Sequence, residues 1–223
     1  MNIFSLVKKF FMCFSCKNKL PNTVLVIFPG LGFLPTDYDA ILPHKMSKIY
    51  LNIWTEDELY TIKRGVGLKD SQSYKKWFDK IVSKSRHILF SELKKYKHTL
   101  PKTIFFSHSI GSLIANEIQE YADILISYGG IIKPSHIKLL NLLGTEDNIT
   151  MNEYKIWPKS AKPILNANHL SCITTKSKQR NLKLNKELGI NQIIEREHSD
   201  DKISVIKREI EYFIYLNIIN NSC

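Results

Sequence analysis

The sequence predicts an α/β protein with a mostly parallel central sheet flanked by helices, and three observations carry that expectation. Short segments rich in aliphatic and aromatic residues alternate with longer segments of helical period. The first short segment, Val24-Leu25-Val26-Ile27-Phe28, is apolar at every position, as a strand covered on both faces must be. Glycines close several of these segments, at Pro29-Gly30, Gly129-Gly130 and Gly144, where the chain has to turn. With 223 residues, 43% of them hydrophobic, the chain can bury the core of one domain. That domain is expected over residues 21–223, with residues 1–20 as a separate N-terminal segment.

In chain order, the first strand follows Asn22-Thr23 and ends at Pro29. Residues 48–54 (KIYLNIW) give a second strand candidate. Ser73 can cap a long helix over residues 74–96, whose apolar side chains Trp77, Phe78, Ile81, Val82, Ile88, Leu89 and Leu93 keep to one face. Pro101 resets the chain. Residues 103–106 read as a strand and residues 110–121 as a helix. Further strand candidates are residues 123–127 (DILIS), 138–143, 163–165 and 190–196 (INQIIER). A last helix is expected over residues 200–219, with Ile203, Ile206, Ile210, Phe213, Ile214 and Ile218 on its apolar face.

The charge balance narrows the partners. A formal net charge of +11 favours anionic surfaces. The lysines are spread along the chain, however, and no Arg-rich tract, zinc finger or RNA-binding signature is present, which argues against nucleic acid. Four cysteines, Cys13, Cys16, Cys172 and Cys223, make no disulfide framework, so a reducing, intracellular setting is expected, cytoplasmic or peripheral to a membrane. Cys13-x-x-Cys16 lacks the second ligand pair of a zinc site. Residues 1–20 (MNIFSLVKKFFMCFSCKNKL) place apolar residues around Lys8-Lys9. Their apolar run is too short to span a bilayer or to serve as a secretory leader. They suit either packing on the domain or an amphipathic helix lying on an anionic membrane.

The chemistry concentrates in Ile104-Phe105-Phe106-Ser107-His108-Ser109-Ile110-Gly111-Ser112. A strand runs into a tight turn with Ser109 at its tip, and a helix follows at once. A turn this tight needs small residues two before and two after the serine, here Ser107 and Gly111. The helix N-terminus behind Ser109 offers free backbone N–H groups and a favourable dipole for a developing oxyanion.

This segment resembles the nucleophile elbow of the α/β-hydrolase superfamily, whose pattern is G-x-S-x-G. It departs from that pattern at Ser107, which replaces the first glycine. The resemblance implies a minimal α/β-hydrolase fold, with little or no cap because little sequence separates Gly130 from Lys138. It further implies that Phe28-Pro29-Gly30-Leu31-Gly32 is the oxyanion loop, and that the N–H groups of Leu31 and Ile110 face the oxyanion. The acid is expected at Asp147, in a G-x-x-D spacing after a strand, with Glu146 as a weaker neighbour. The base is expected at His198, on the loop before the last helix. His169 is the alternative: it stands at the more usual distance from Asp147, but no convincing helix follows it. The activity so implied is a serine hydrolase of the carboxylesterase or lipase type. It would act on an ester or thioester, including lipid esters, through a Ser–His–Asp triad with no cofactor or metal. The rival expectations are an inactive binding module on the same fold and a basic protein that associates with anionic membrane or nucleic acid.

Overall fold

A computed structural model describes residues 22–63, 71–96, 99–133, 137–153, 157–187 and 201–219. Its organising element is β1, Thr23–Phe28, buried at every position. Around it lie β2 (Ser47–Tyr50), β3 (Lys102–His108), β4 (Ile124–Tyr128), β5 (Lys138–Gly144) and β6 (Ala161–Ile164). The six strands form one sheet in the order β2-β1-β3-β4-β5-β6. Every pairing is parallel, which bears out the expected fold class.

Helices cover both faces, as an all-parallel sheet requires. The helices among the described residues are α1 (Glu56–Lys63), α2 (Ser71–Leu93), α3 (Ile110–Glu117), α4 (Asn148–Glu153), α5 (Thr175–Glu187) and α6 (Asp201–Ile214). Alternation along β1 divides the core. Val24, Val26 and Phe28 pack with Trp77, Ile81 and Leu89 of α2 and Ile114 of α3. Leu25 and Ile27 pack on the other face with Ile206, Ile210 and Ile214 of α6. Each of these large aliphatic or aromatic side chains contributes about 1.5–3 kcal/mol on burial.

Several boundaries differ from the sequence expectation. The long helix begins at Ser71, so Ser73 lies inside its first turn rather than capping it. The second strand stops at Tyr50; Leu51 and Ile53 are still buried, but they run beyond the ladder. The elbow helix ends at Glu117 and passes into a short 3-10 turn, Gln119–Tyr121. The last helix loosens into a π turn over Tyr215–Ile219. The 190–196 strand candidate, His198 and residues 1–20 lie outside the described residues.

Parallel register brings the C-terminal strand ends level. Phe28 pairs with Ser107, His108 with Tyr128, and Gly144 with Ile164. The chain leaves β1 toward β2 on one side and returns as β3 on the other. The loops after β1 and β3 therefore part at a topological switch point, the usual place for a site in an open α/β sheet.

Candidate active site

Ser109 joins β3 to α3 with φ 53° and ψ −127°. That left-handed conformation is costly for any residue with a Cβ and is held only by its surroundings. Its N–H donates to the Tyr128 carbonyl (3.1 Å), and its carbonyl accepts from Ser112 N–H (2.8 Å). Both small neighbours have structural causes. A Cβ on Gly111 would stand 2.4 Å from the Phe28 carbonyl oxygen, so α3 can approach the end of β1 only with glycine there. Ser107 is fully buried and donates its hydroxyl to the Ile126 carbonyl at 3.2 Å. The departure from the G-x-S-x-G pattern therefore leaves no unsatisfied polar group.

The loop after β1 lies beside the elbow. Its Phe33 N–H bonds back to the Gly30 carbonyl at 3.1 Å, closing a tight turn around Leu31. From the outside, Trp54 Nε1–H donates to the Pro29 carbonyl (3.2 Å) and Asn181 Nδ2–H to the Leu31 carbonyl (3.2 Å). Asn181 belongs to α5, which is also tied down at Asp37, a buried carboxylate that accepts from Ser177 Oγ and Arg180. The N–H groups of Leu31 and Ile110 make no hydrogen bond among the described residues.

Asp147 and His169 meet directly. His169 Nδ1 lies 3.1 and 3.0 Å from the two Asp147 carboxylate oxygens, and the residues are 5% and 1% exposed. Thr150, at the start of α4, holds the carboxylate from below: its N–H donates to Oδ1 at 2.9 Å and its Oγ1 lies 3.0 Å from Oδ2. Burial pushes the Asp147 carboxyl up, but the hydrogen bond and charge of His169 and the two Thr150 contacts outweigh it, so the group sits below its ordinary value. Glu146, one residue earlier, is exposed.

The loop that carries His169 follows β6 and is caught at three successive carbonyls. Ala167 O accepts from Glu146 N–H (2.8 Å), Asn168 O from the Tyr128 hydroxyl (2.7 Å), and His169 O faces His108 Nε2 (2.9 Å). Gly144 lets the loop close in, since a Cβ there would stand 2.2 Å from Ala167 O.

No hydrogen bond joins the Ser109 hydroxyl to the His169 imidazole. Tyr128 and Gly129 adjoin both residues. Ser109 N–H bonds Tyr128 O, and a Cβ on the next residue, Gly129 (φ +58°), would stand 2.8 Å from His169 Nδ1. The structure thus gathers the loop of Leu31, the elbow of Ser109 and Ile110, Asp147 and His169 at the C-terminal edge of the sheet. Among the described residues no cluster could hold a metal ion, and no helix is long and apolar enough to cross a membrane.

The parallel sheet, flanking helices and strand–elbow–helix turn give the chain the α/β-hydrolase fold. No protein-family model matches the sequence, and no curated protein matches it. Similar solved structures include a protein from Pectobacterium atrosepticum assigned as a YdeN-like hydrolase (14% identical over 96% of this chain and 99% of that one, TM-score 0.46). Another, from Xanthomonas campestris pv. campestris, is assigned to the α/β hydrolase superfamily (11% identical, 75% and 97% covered, TM-score 0.39). A third belongs to the work on LipS and LipT, two metagenome-derived lipolytic enzymes (7% identical, 77% and 95% covered, TM-score 0.37). Likenesses this distant do not say which side chains react, so Ser109, Asp147 and His169 stand on their own geometry.

Proposed function

We propose that the chain is a serine hydrolase that cleaves an ester or thioester through Ser109, His169 and Asp147. The observation that carries this reading is the buried His169–Asp147 contact facing the same Tyr128–Gly129 segment that seats Ser109. In this reading His169 Nε2 takes the Ser109 proton as Oγ attacks the acyl carbonyl, and Asp147 steadies the imidazolium. The N–H groups of Leu31 and Ile110 receive the oxyanion. The tetrahedral species collapses to an acyl-enzyme as His169 protonates the leaving group, and water activated by the same imidazole releases the acid. The missing Ser109–His169 bond is compatible with this role, because such contacts tighten when substrate binds. Since His198 lies outside the described residues, the proposal takes the base from the histidine that already meets the acid.

The substrate class is a small ester or thioester, with lipid esters among the candidates. Contact of residues 1–20 with an anionic membrane rests on their sequence alone. The test is labelling of the folded protein by a fluorophosphonate. Labelling is expected for wild type, none for Ser109→Ala, and a loss of at least about a hundredfold for His169→Ala. If His198→Ala lost labelling instead, the base would be reassigned. Absence of labelling in folded wild type would turn the reading toward a binding module.

A further inference from the structure

Tyr38 and His108 are buried polar side chains that the proposed chemistry does not use. Both are 0% exposed, and they lie between the two loops on which that chemistry depends. Gly30 N–H donates to the Tyr38 hydroxyl at 2.9 Å. The hydroxyl lies 2.9 Å from His108 Nδ1, and His108 Nε2 lies 2.9 Å from the His169 carbonyl oxygen.

Only one assignment of protons satisfies this chain. The His169 carbonyl can only accept, so Nε2 carries the hydrogen. Nδ1 is then an acceptor, and the hydroxyl that accepts from Gly30 donates its own hydrogen to Nδ1. The other tautomer would turn a lone pair toward the carbonyl. The packing is equally specific: a Cβ on Gly30 would stand 2.6 Å from His108 Nδ1. The loop after β1 therefore reaches the ring only because residue 30 is glycine. Phe33 closes edge-on over His108, with ring centroids 5.7 Å apart.

We propose that Tyr38 and His108 are positioning residues that fix the oxyanion loop and the base loop relative to each other through a one-directional chain of hydrogen bonds. The proposal rests on the serine-hydrolase reading. The chain runs from Gly30, next to the donor Leu31, to the carbonyl of the residue whose imidazole is the base. It transfers no proton. Burial, followed by the neighbouring His169, lowers His108 to about 3, against smaller opposing effects from the His169 backbone contact and Asp147. Burial, with Cys172 next in size, raises the Tyr38 phenol well above its ordinary value. Both groups thus stay neutral and keep their donor and acceptor roles. Breaking the chain loosens the oxyanion loop relative to the loop that carries His169 without removing Ser109, His169 or Asp147, so the rate of acylation should suffer more than substrate binding.

The experiment compares wild type, Tyr38→Phe, His108→Gln and His108→Leu, with active sites counted by fluorophosphonate stoichiometry. Turnover of a p-nitrophenyl short-chain ester is then measured per labelled site. Tyr38→Phe is expected to lower kcat about tenfold with KM changed less than about twofold. His108→Leu is expected to lose more, and His108→Gln, whose amide can restore a donor, to recover part of that loss. In nitrogen NMR, His108 is expected to show the Nε2–H tautomer between about pH 5 and 8, with Nδ1 shifting in Tyr38→Phe. An unchanged kcat per labelled site in both Tyr38→Phe and His108→Leu, or a His108 that titrates in that range, would overturn the proposal. If folded wild type failed to label, the hydrolase reading would fall and the proposal with it. Normal labelling with unaffected variants would sink the positioning role alone.

Discussion

His108 and His169 lie with ring centroids 4.9 Å apart and both are buried, yet their surroundings differ in kind. His108 meets a hydroxyl and a carbonyl, neither of them charged, so its most stable state is one fixed neutral tautomer. His169 meets a carboxylate that also accepts from the Thr150 N–H and lies 3.0 Å from the Thr150 hydroxyl. A proton on His169 is compensated at 3.0 Å; a proton on His108 would face the hydrogen of Tyr38 and have no counter-charge in contact. Residue type and depth of burial do not separate these two histidines. The charge of the partner does, and in the proposed mechanism it gives His169 to chemistry and His108 to architecture.

The largest test of this contrast removes that charge. Asp147→Asn keeps the shape of the acid, but its amide cannot stabilise an imidazolium. Acylation should fall by a factor on the order of 10³–10⁴, measured as the rate of fluorophosphonate labelling. His108→Gln should fall far less. Comparable losses at the two positions would erase the distinction drawn between them.

The second test separates the histidine and the acid by pH. Folded His108 resists protonation until about 3, against an ordinary value of 6.5. Below about pH 6.5 the unfolded chain takes up a proton that the folded chain refuses, so His108 makes stability fall as the pH drops toward about 3. The loss approaches about 1.4 kcal/mol per pH unit. Asp147 acts in a lower window. Its folded value lies below the ordinary 3.8, so its contribution is present above 3.8 and is lost as the pH falls through the folded value. Urea midpoints measured from about pH 7 down to about pH 3 should decline in wild type. In His108→Gln the decline between about pH 6 and 4 should be shallower, and Asp147→Asn should flatten only the acid end. An unchanged slope in His108→Gln would mean that folded His108 does not resist protonation.

The same contrast marks what could be read from the sequence. The elbow was legible because backbone geometry dictates residue size: a strand, a serine and Gly111 identify it, even with Ser107 in place of glycine. The place of Asp147 just after a strand that ends in glycine is legible from spacing, and β5 does end at Gly144. The histidine that meets this acid is harder to read: His198, which the sequence favours, lies outside the described residues, and no helical period follows His169, although α5 begins at Thr175. That helix buries Ser177 and Asn181 rather than an apolar stripe, so periodicity could not reveal it. β6 was only half visible as well, being a four-residue edge strand that contains Pro163, a position where the ladder tolerates proline. The contact of Tyr38 with His108 joins residues 70 apart in the chain and has no local signature at all.

The smallest expected effect concerns the backbone that aims the nucleophile. Ser109 holds φ 53° and ψ −127°, a region where a Cβ costs about 1–3 kcal/mol. Glycine carries no such penalty, though its extra freedom in the unfolded chain returns about 0.5–1 kcal/mol of the gain. Ser109→Gly should therefore raise the unfolding free energy by about 1 kcal/mol while abolishing labelling. Ser109→Ala retains the Cβ and the strain, so it should lose labelling without the gain in stability. Chemical denaturation of the two variants beside wild type separates the contributions of hydroxyl and backbone. A gain confined to glycine would locate strain in the elbow, held by the Tyr128 and Ser112 hydrogen bonds and by the packing of α3 on β1. Equal stability of the two variants would mean that the turn accommodates a side chain without cost, and that Ser109 is aimed by those contacts alone.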